Sequence, residues 1–97
     1  MLGGFSKNAS ICTPEIQSKV TKHVGDINSN LGLNHKYYDA ITFKTQVVNG
    51  TNYLVKVQAD NQFFHVKIHQ PLPMTGEPSE LLKAESGHSL SSPLNSL

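Results

Sequence analysis

The amino-acid sequence predicts an α+β fold, one amphipathic helix followed by antiparallel strands. Three observations carry this reading. A capped apolar stripe at helical spacing runs from Thr13 to Leu31, three segments between Ile41 and His69 alternate apolar with polar residues, and turn residues punctuate them. Ninety-seven residues suit one domain with one modest core. Residues 1–97 are therefore taken as a single domain, with a leader at 1–12 and a weakly defined tail at 79–97.

The helix starts at Thr13-Pro14-Glu15. Thr13 can cap, Pro14 suits the first helical position, and Glu15 faces the positive end of the helix dipole. Ile16, Val20, Val24, Ile27 and Leu31 then share an arc of about 80° at about 100° per residue, with Lys19, Lys22 and Asp26 facing away. Gly25 lies inside the stripe at a cost of about 1 kcal/mol relative to alanine. Asn30, Gly32 and Asn34 supply the stop. A single helix with one face to bury is expected.

In the strands, Ile41, Phe43, Thr45 and Val47 alternate with Thr42, Lys44 and Gln46. Tyr53, Val55, Val57 and Ala59 alternate with polar residues except at Leu54, and Phe64, Val66 and Ile68 alternate with His65, Lys67 and His69. A two-residue turn at Asp60-Asn61 pairs Val57 with Phe64, Val55 with Val66 and Tyr53 with Ile68, keeping the apolar set on one face. The same turn at Asn49-Gly50 would put the apolar sets on opposite faces. An odd-length loop or a bulge restores the match, with Val47 opposite Tyr53 and Phe43 opposite Val57.

Gln46–Gly50 is thus expected to protrude as a bulged tip. Val47 and Val48 stand where a hairpin normally carries polar residues, so they are either the last pair of a strand or surface kept for a partner. The following strand returns to the same end, which brings Gln70-Pro71-Leu72-Pro73-Met74 beside the tip, stiffened by two prolines. Two apolar tips side by side form a convex edge suited to entering a groove. Ser79–Glu85 leans helical by propensity, and Ser86–Leu97, rich in serine, is expected to be poorly ordered. Gly3-Gly4 is either a loose terminus or a place of close backbone approach.

Several functions find no support. Net charge is +1 with the charges scattered, which leaves no footprint for nucleic acid or an anionic membrane. No apolar run reaches membrane-spanning length, and Met1–Lys7 lacks the basic and apolar regions of a signal peptide. The single cysteine, Cys12, cannot form an internal disulfide and suits a reducing, cytoplasmic setting. It lies in the leader without the context of a catalytic thiol. His65 and His69 lack a second ligand pair, so no metal or other cofactor is expected, and His23 reads as a packed, satisfied side chain. Without a phosphate loop, a nucleophile motif or a poised carboxylate pair, the chain is not read as an enzyme.

These residues resemble the stefins, the type 1 cystatins, which are intracellular, disulfide-free inhibitors of papain-like cysteine proteases. The likeness runs from about Leu2 to Pro73. It is densest at Thr13-Pro14-Glu15-Ile16-Gln17 and from Lys44 to Tyr53, followed by Val55-Lys56-Val57. The Gln-x-Val-x-Gly hairpin falls on Gln46, Val48 and Gly50, the second-loop Leu-Pro pair on Leu72-Pro73, and the N-terminal glycine on Gly3 with Gly4 adjoining.

The resemblance implies a cystatin-like α+β fold, with one helix packed on a curved antiparallel sheet of about four to five strands. It further implies reversible, competitive, tight-binding inhibition of papain-like enzymes, of the papain and cathepsin L, B and H types. The wedge would comprise Leu2, Gly3 and Gly4 of the trunk, Gln46, Val47, Val48, Asn49 and Gly50 of the hairpin, and Leu72 and Pro73 of the second loop. The alternative is a cystatin-fold binding or structural module without inhibition. The tail departs from the family, which continues with a further strand where Ser79–Leu97 does not alternate. That departure would leave a bare edge, so a monomer is expected with dimerisation or domain swapping as its alternative.

Overall fold

The computed structural model describes residues 9–94. In chain order these form β1 (Ser10–Ile11), α1 (Pro14–Lys22), α2 (Val24–Leu31), β2 (Asp39–Val48), β3 (Gly50–Ala59), β4 (Gln62–Gln70) and β5 (Glu80–His88). The five strands make one sheet in the order β1-β2-β3-β4-β5, each neighbour antiparallel.

The helix begins as its cap residues dictate: Thr13 Oγ1 accepts the Ile16 N–H at 3.4 Å, and Pro14 occupies the first turn. The expected single helix is interrupted at His23, whose N–H turns back to the Val20 carbonyl at 3.0 Å. The His23 side chain points inward, its Nδ1 2.8 Å from Asp26 Oδ2 and its Nε2 2.8 Å from Ser79 Oγ. It is the packed, satisfied histidine expected, and it pins the joint to the segment entering β5. The joint leaves the apolar stripe intact, since Ile16, Val20 and Ile27 are buried and Val24 and Leu31 pack beside them. Gly32, at φ 69°, ends α2 as a left-handed cap.

Under the helices lie Val55, Val57, Phe64, Val66, Ile68 and Ala84 of the sheet's inner face. The β3–β4 register is the one the alternation demands: Val57 opposite Phe64, Val55 opposite Val66, Tyr53 opposite Ile68. Asp60, at φ 55°, turns that hairpin. The β2–β3 hairpin has the expected face matching through an odd loop, Asn49 alone, but its pairing is shifted by two residues. Phe43 faces Val55 and Val47 faces Thr51. The bulge lies at Ile41, at the far end of the hairpin, because Gly50 at φ 104° lets the chain reverse around one residue.

The C-terminal expectations are overturned. The segment read as leaning helical is β5, paired along β4. Its inward apolar residues, Leu81 and Ala84, face Ile68 and Val66, with a register shift between them. The bulge gives those residues the three-residue spacing of a helix, which is why the segment fails to alternate and reads as helical. With β5 in place, β4 is not a bare edge, and the argument for strand exchange from that edge falls.

The segment expected to be disordered instead folds across the outer face as far as Leu94, which is 4 % exposed. Lys56 donates from Nζ to the carbonyl oxygens of Ser89 at 2.8 Å, Leu90 at 2.7 Å and Ser92 at 2.5 Å. An ammonium has three N–H donors, and this turn supplies three acceptors.

Candidate binding edge

One end of the sheet gathers the features of interest. β2 runs toward it, β3 leaves it, and β4 returns to it, so the tip at Asn49 and the loop after Gln70 lie side by side. β1 is antiparallel to β2, with Ser10 opposite Phe43 and Ile11 opposite Thr42. The N-terminal end of β1, at Ser10, therefore lies on the side of the sheet's tip end. Leu2, Gly3 and Gly4 lie outside the described residues.

At the tip, Val47 is 59 % exposed and Asn49 is exposed, whereas Gln46 and Val48 are half-buried and Gly50 is buried. In the second loop Leu72, Pro73 and Met74 are all exposed. A 3₁₀ turn over Pro73–Thr75 gives this loop its shape. The Thr75 N–H donates to the Leu72 carbonyl at 3.0 Å, Thr75 Oγ1 donates to the same oxygen at 2.8 Å, and Gly76 closes the turn at φ 67°. The edge so formed, Val47-Val48-Asn49 beside Leu72-Pro73-Met74, carries no charged side chain. It can bury apolar area in a groove without desolvating an ion.

The two loops touch through backbone. A Cβ placed on Gly50 would collide with the Gln70 carbonyl oxygen and come within 3.2 Å of Pro71 Cα and 3.1 Å of His69 Cε1. On the outer face just below, Asn52 Nδ2 donates to Gln46 Oε1 at 3.1 Å, and Asn52 Oδ1 lies 2.7 Å from His69 Nδ1. On the inner face, Lys19 Nζ donates to Gln70 Oε1 at 3.2 Å and stands 5.2 Å from the centroid of the Tyr53 ring. Sequence reasoning brought together Gln46–Gly50 and Leu72-Pro73. It missed Asn52, His69 and Gln70: the β3–β4 register, carried one pair further, aligns Asn52 with His69, but the expected first-hairpin pairing put Val48 rather than Gln46 opposite Asn52.

Among the described residues, the thiol and the histidines singled out in the sequence are partly or fully buried, or otherwise engaged. Burial, then the nearby Asp39 carboxylate, pushes the Cys12 thiol up to about 11, so it is protonated at neutral pH and a poor nucleophile. Of the two histidines considered for a metal, His69 engages Asn52, while His65 stacks on His88 with ring centroids 3.6 Å apart. Among the described residues, no group of three or more His, Cys, Asp or Glu could hold a metal ion, and no helix is long and apolar enough to cross a membrane.

The fold is thus a pair of helices on an antiparallel sheet, with the first hairpin tip and the second loop exposed side by side at one end. The sequence profile of the cystatin domain matches residues 3–89. Human cystatin-A is 38 % identical over 78 residues, 79 % of this chain and 80 % of that protein. Cystatin-A of Felis catus is 33 % identical over 90 residues, 92 % of each chain, and cystatin-A3 of Dictyostelium discoideum is 37 % identical over 70 residues, covering 72 % of this chain and 74 % of that one. The chain belongs to the cystatin family, a family of cysteine-protease inhibitors rather than enzymes.

Proposed function

We propose that this protein is a reversible, competitive, tight-binding inhibitor of papain-like cysteine proteases, acting in the cytoplasm and blocking the active-site cleft of papain and of cathepsin L, B and H-type enzymes. The observation that carries the reading is the uncharged convex edge, where Val47, Val48 and Asn49 stand beside Leu72 and Pro73 on a backbone closed by Gly50. The mechanism is steric. Side chains of the edge fill the cleft on either side of the catalytic thiol, and no peptide bond of the loops lies across it. In this reading Leu2, Gly3 and Gly4 complete the wedge, supported by the direction of β1 antiparallel to β2; a glycine there lets backbone approach the thiolate closely.

Each fully buried valine or leucine contributes about 1.5–3 kcal/mol. Three of them, in an interface of about 1,600 Å², are compatible with nanomolar binding. The test is a titration of papain with this protein, followed by hydrolysis of a fluorogenic substrate. Stoichiometric inhibition is expected, and Val48→Asp, which would bury an unpaired carboxylate in the cleft, should weaken it by about a thousandfold with the melting temperature unchanged. Full papain and cathepsin L activity at micromolar protein would refute the reading.

A further inference from the structure

We propose that Asn52 and His69 are positioning residues that lock the first hairpin to the second loop, so that the two act as one rigid contact surface. The proposal deepens the inhibitory reading and rests on it for its consequence in binding; the lock itself is a property of the free protein.

Two residues of the first hairpin, Gly50 and Asn52, reach across to the second loop and its root. Gly50 lies against the Gln70 carbonyl and Pro71, its missing side chain leaving room for His69 Cε1. Asn52, 7 % exposed, spans the gap on the outer face, its amide nitrogen on Gln46 and its oxygen on His69. Gln46 opens the hairpin tip and His69 is the second-last residue before the Pro71-Leu72-Pro73 turn, so this relay joins the roots of both loops. Because the Asn52 amide donates to Gln46, its oxygen faces His69, and the His69 nitrogen at 2.7 Å must be the donor. That fixes the Nδ1–H tautomer.

Pre-organisation acts on binding chiefly by cutting the ordering cost, which is felt in the dissociation rate more than in association. Substituting His69 by leucine keeps bulk and removes the donor. Substituting it by asparagine restores an amide donor near the position of Nδ1. The experiment has two parts on the full-length protein. Amide hydrogen exchange, with nitrogen-15 spectra of the imidazole, reads the free protein, and papain dissociation kinetics read the complex.

In the wild type, the nitrogen-15 shifts should show Nδ1 protonated. His69→Leu should speed exchange at Val48, Gly50 and the 72–76 loop by about tenfold relative to the core amides of Val55 and Val66. It should also speed papain release by about tenfold at an unchanged association rate. His69→Asn should recover most of both, and Asn52→Ala should cost less in the His69→Leu background than alone, because the Asn52–His69 bond is already gone and only the bond to Gln46 remains to break. An Nε2–H tautomer would overturn the proposal, as would loop and core amides accelerating in equal proportion, or asparagine failing as completely as leucine. Loss of papain inhibition by the wild-type protein refutes the inhibitory reading, while the exchange and tautomer results still decide the lock.

Discussion

At the loop edge the chain exposes apolar side chains, Val47, Leu72 and Met74, on a backbone held by hydrogen bonds and a glycine contact. On the outer face of the sheet, under residues 89–94, it does the reverse and buries polar ones, Lys56 at 3 % and His65 at 0 % exposure. Both regions break the simple inside–outside rule, and the difference lies in what completes them. Lys56 is completed by this chain's own carbonyls, so that face is finished on folding. The apolar residues of the edge have no counterpart among the described residues, which leaves their surface open to another molecule. His65 is the exception within the covered face. It is buried with neither ring nitrogen hydrogen-bonded, against the stacked ring of His88 and near the charges of Lys56 and Glu85.

If the covered face belongs to stability and the edge to binding, perturbations should separate. The largest expected effect is on pH dependence. Burial, then His88 and Lys56, pull the His65 imidazole down to about 4, against the opposing pull of Glu85. Above about pH 6.5 the ring is neutral in both folded and unfolded chains, and between about 6.5 and about 4 only the unfolded chain takes up the proton. Stability should therefore fall by about 3 kcal/mol across that window on acidification and flatten below it. Urea unfolding from pH 7 to 4 should show the slope, and His65→Leu should remove this component; an identical slope in the variant would contradict it.

The next effect separates the regions directly. Lys56→Met keeps the aliphatic stem and leaves the carbonyls of Ser89, Leu90 and Ser92 without their shared donor, a loss of about 2 kcal/mol in urea unfolding. Papain inhibition should be unchanged within twofold. Equal damage to stability and inhibition would mean that the covered face and the edge are coupled. The smallest effect is the converse. Leu72→Ala, at an exposed position, should leave unfolding unaltered and weaken papain binding by roughly 1 kcal/mol, about fivefold.

How much of this was legible varies along the chain for physical reasons. The start of α1 and the β3–β4 register could be read because local chemistry and long-range packing agree there, from Thr13 capping to the pairing of Val57 with Phe64. Face parity of the first hairpin was legible too, but its pairing was not. Side-chain alternation fixes which face a residue occupies and is blind to shifts of two, and it was Gly50 that selected the one-residue loop. At the break, His23 meets Ser79, 56 positions away, a contact that no local pattern announces. β5 was hidden because its bulge spaces Leu81 and Ala84 as a helix would, and the ordering of 89–94 hinges on a lysine that alternation assigned to solvent. At the edge, the motif residues Gln46, Val48, Gly50, Leu72 and Pro73 could be named, whereas Asn52 and His69, polar residues in plain strand positions, could not.

Gly50 and Val48 stand two residues apart in one motif, yet they answer to different constraints. A side chain at Gly50 would strike the protein's own backbone, so the fold alone resists its replacement, whatever the molecule encounters. Val48 meets no comparable internal demand. A descendant of this chain that ceased to meet its target would therefore be free to drift first at the valine, while the glycine persisted as a relic of architecture.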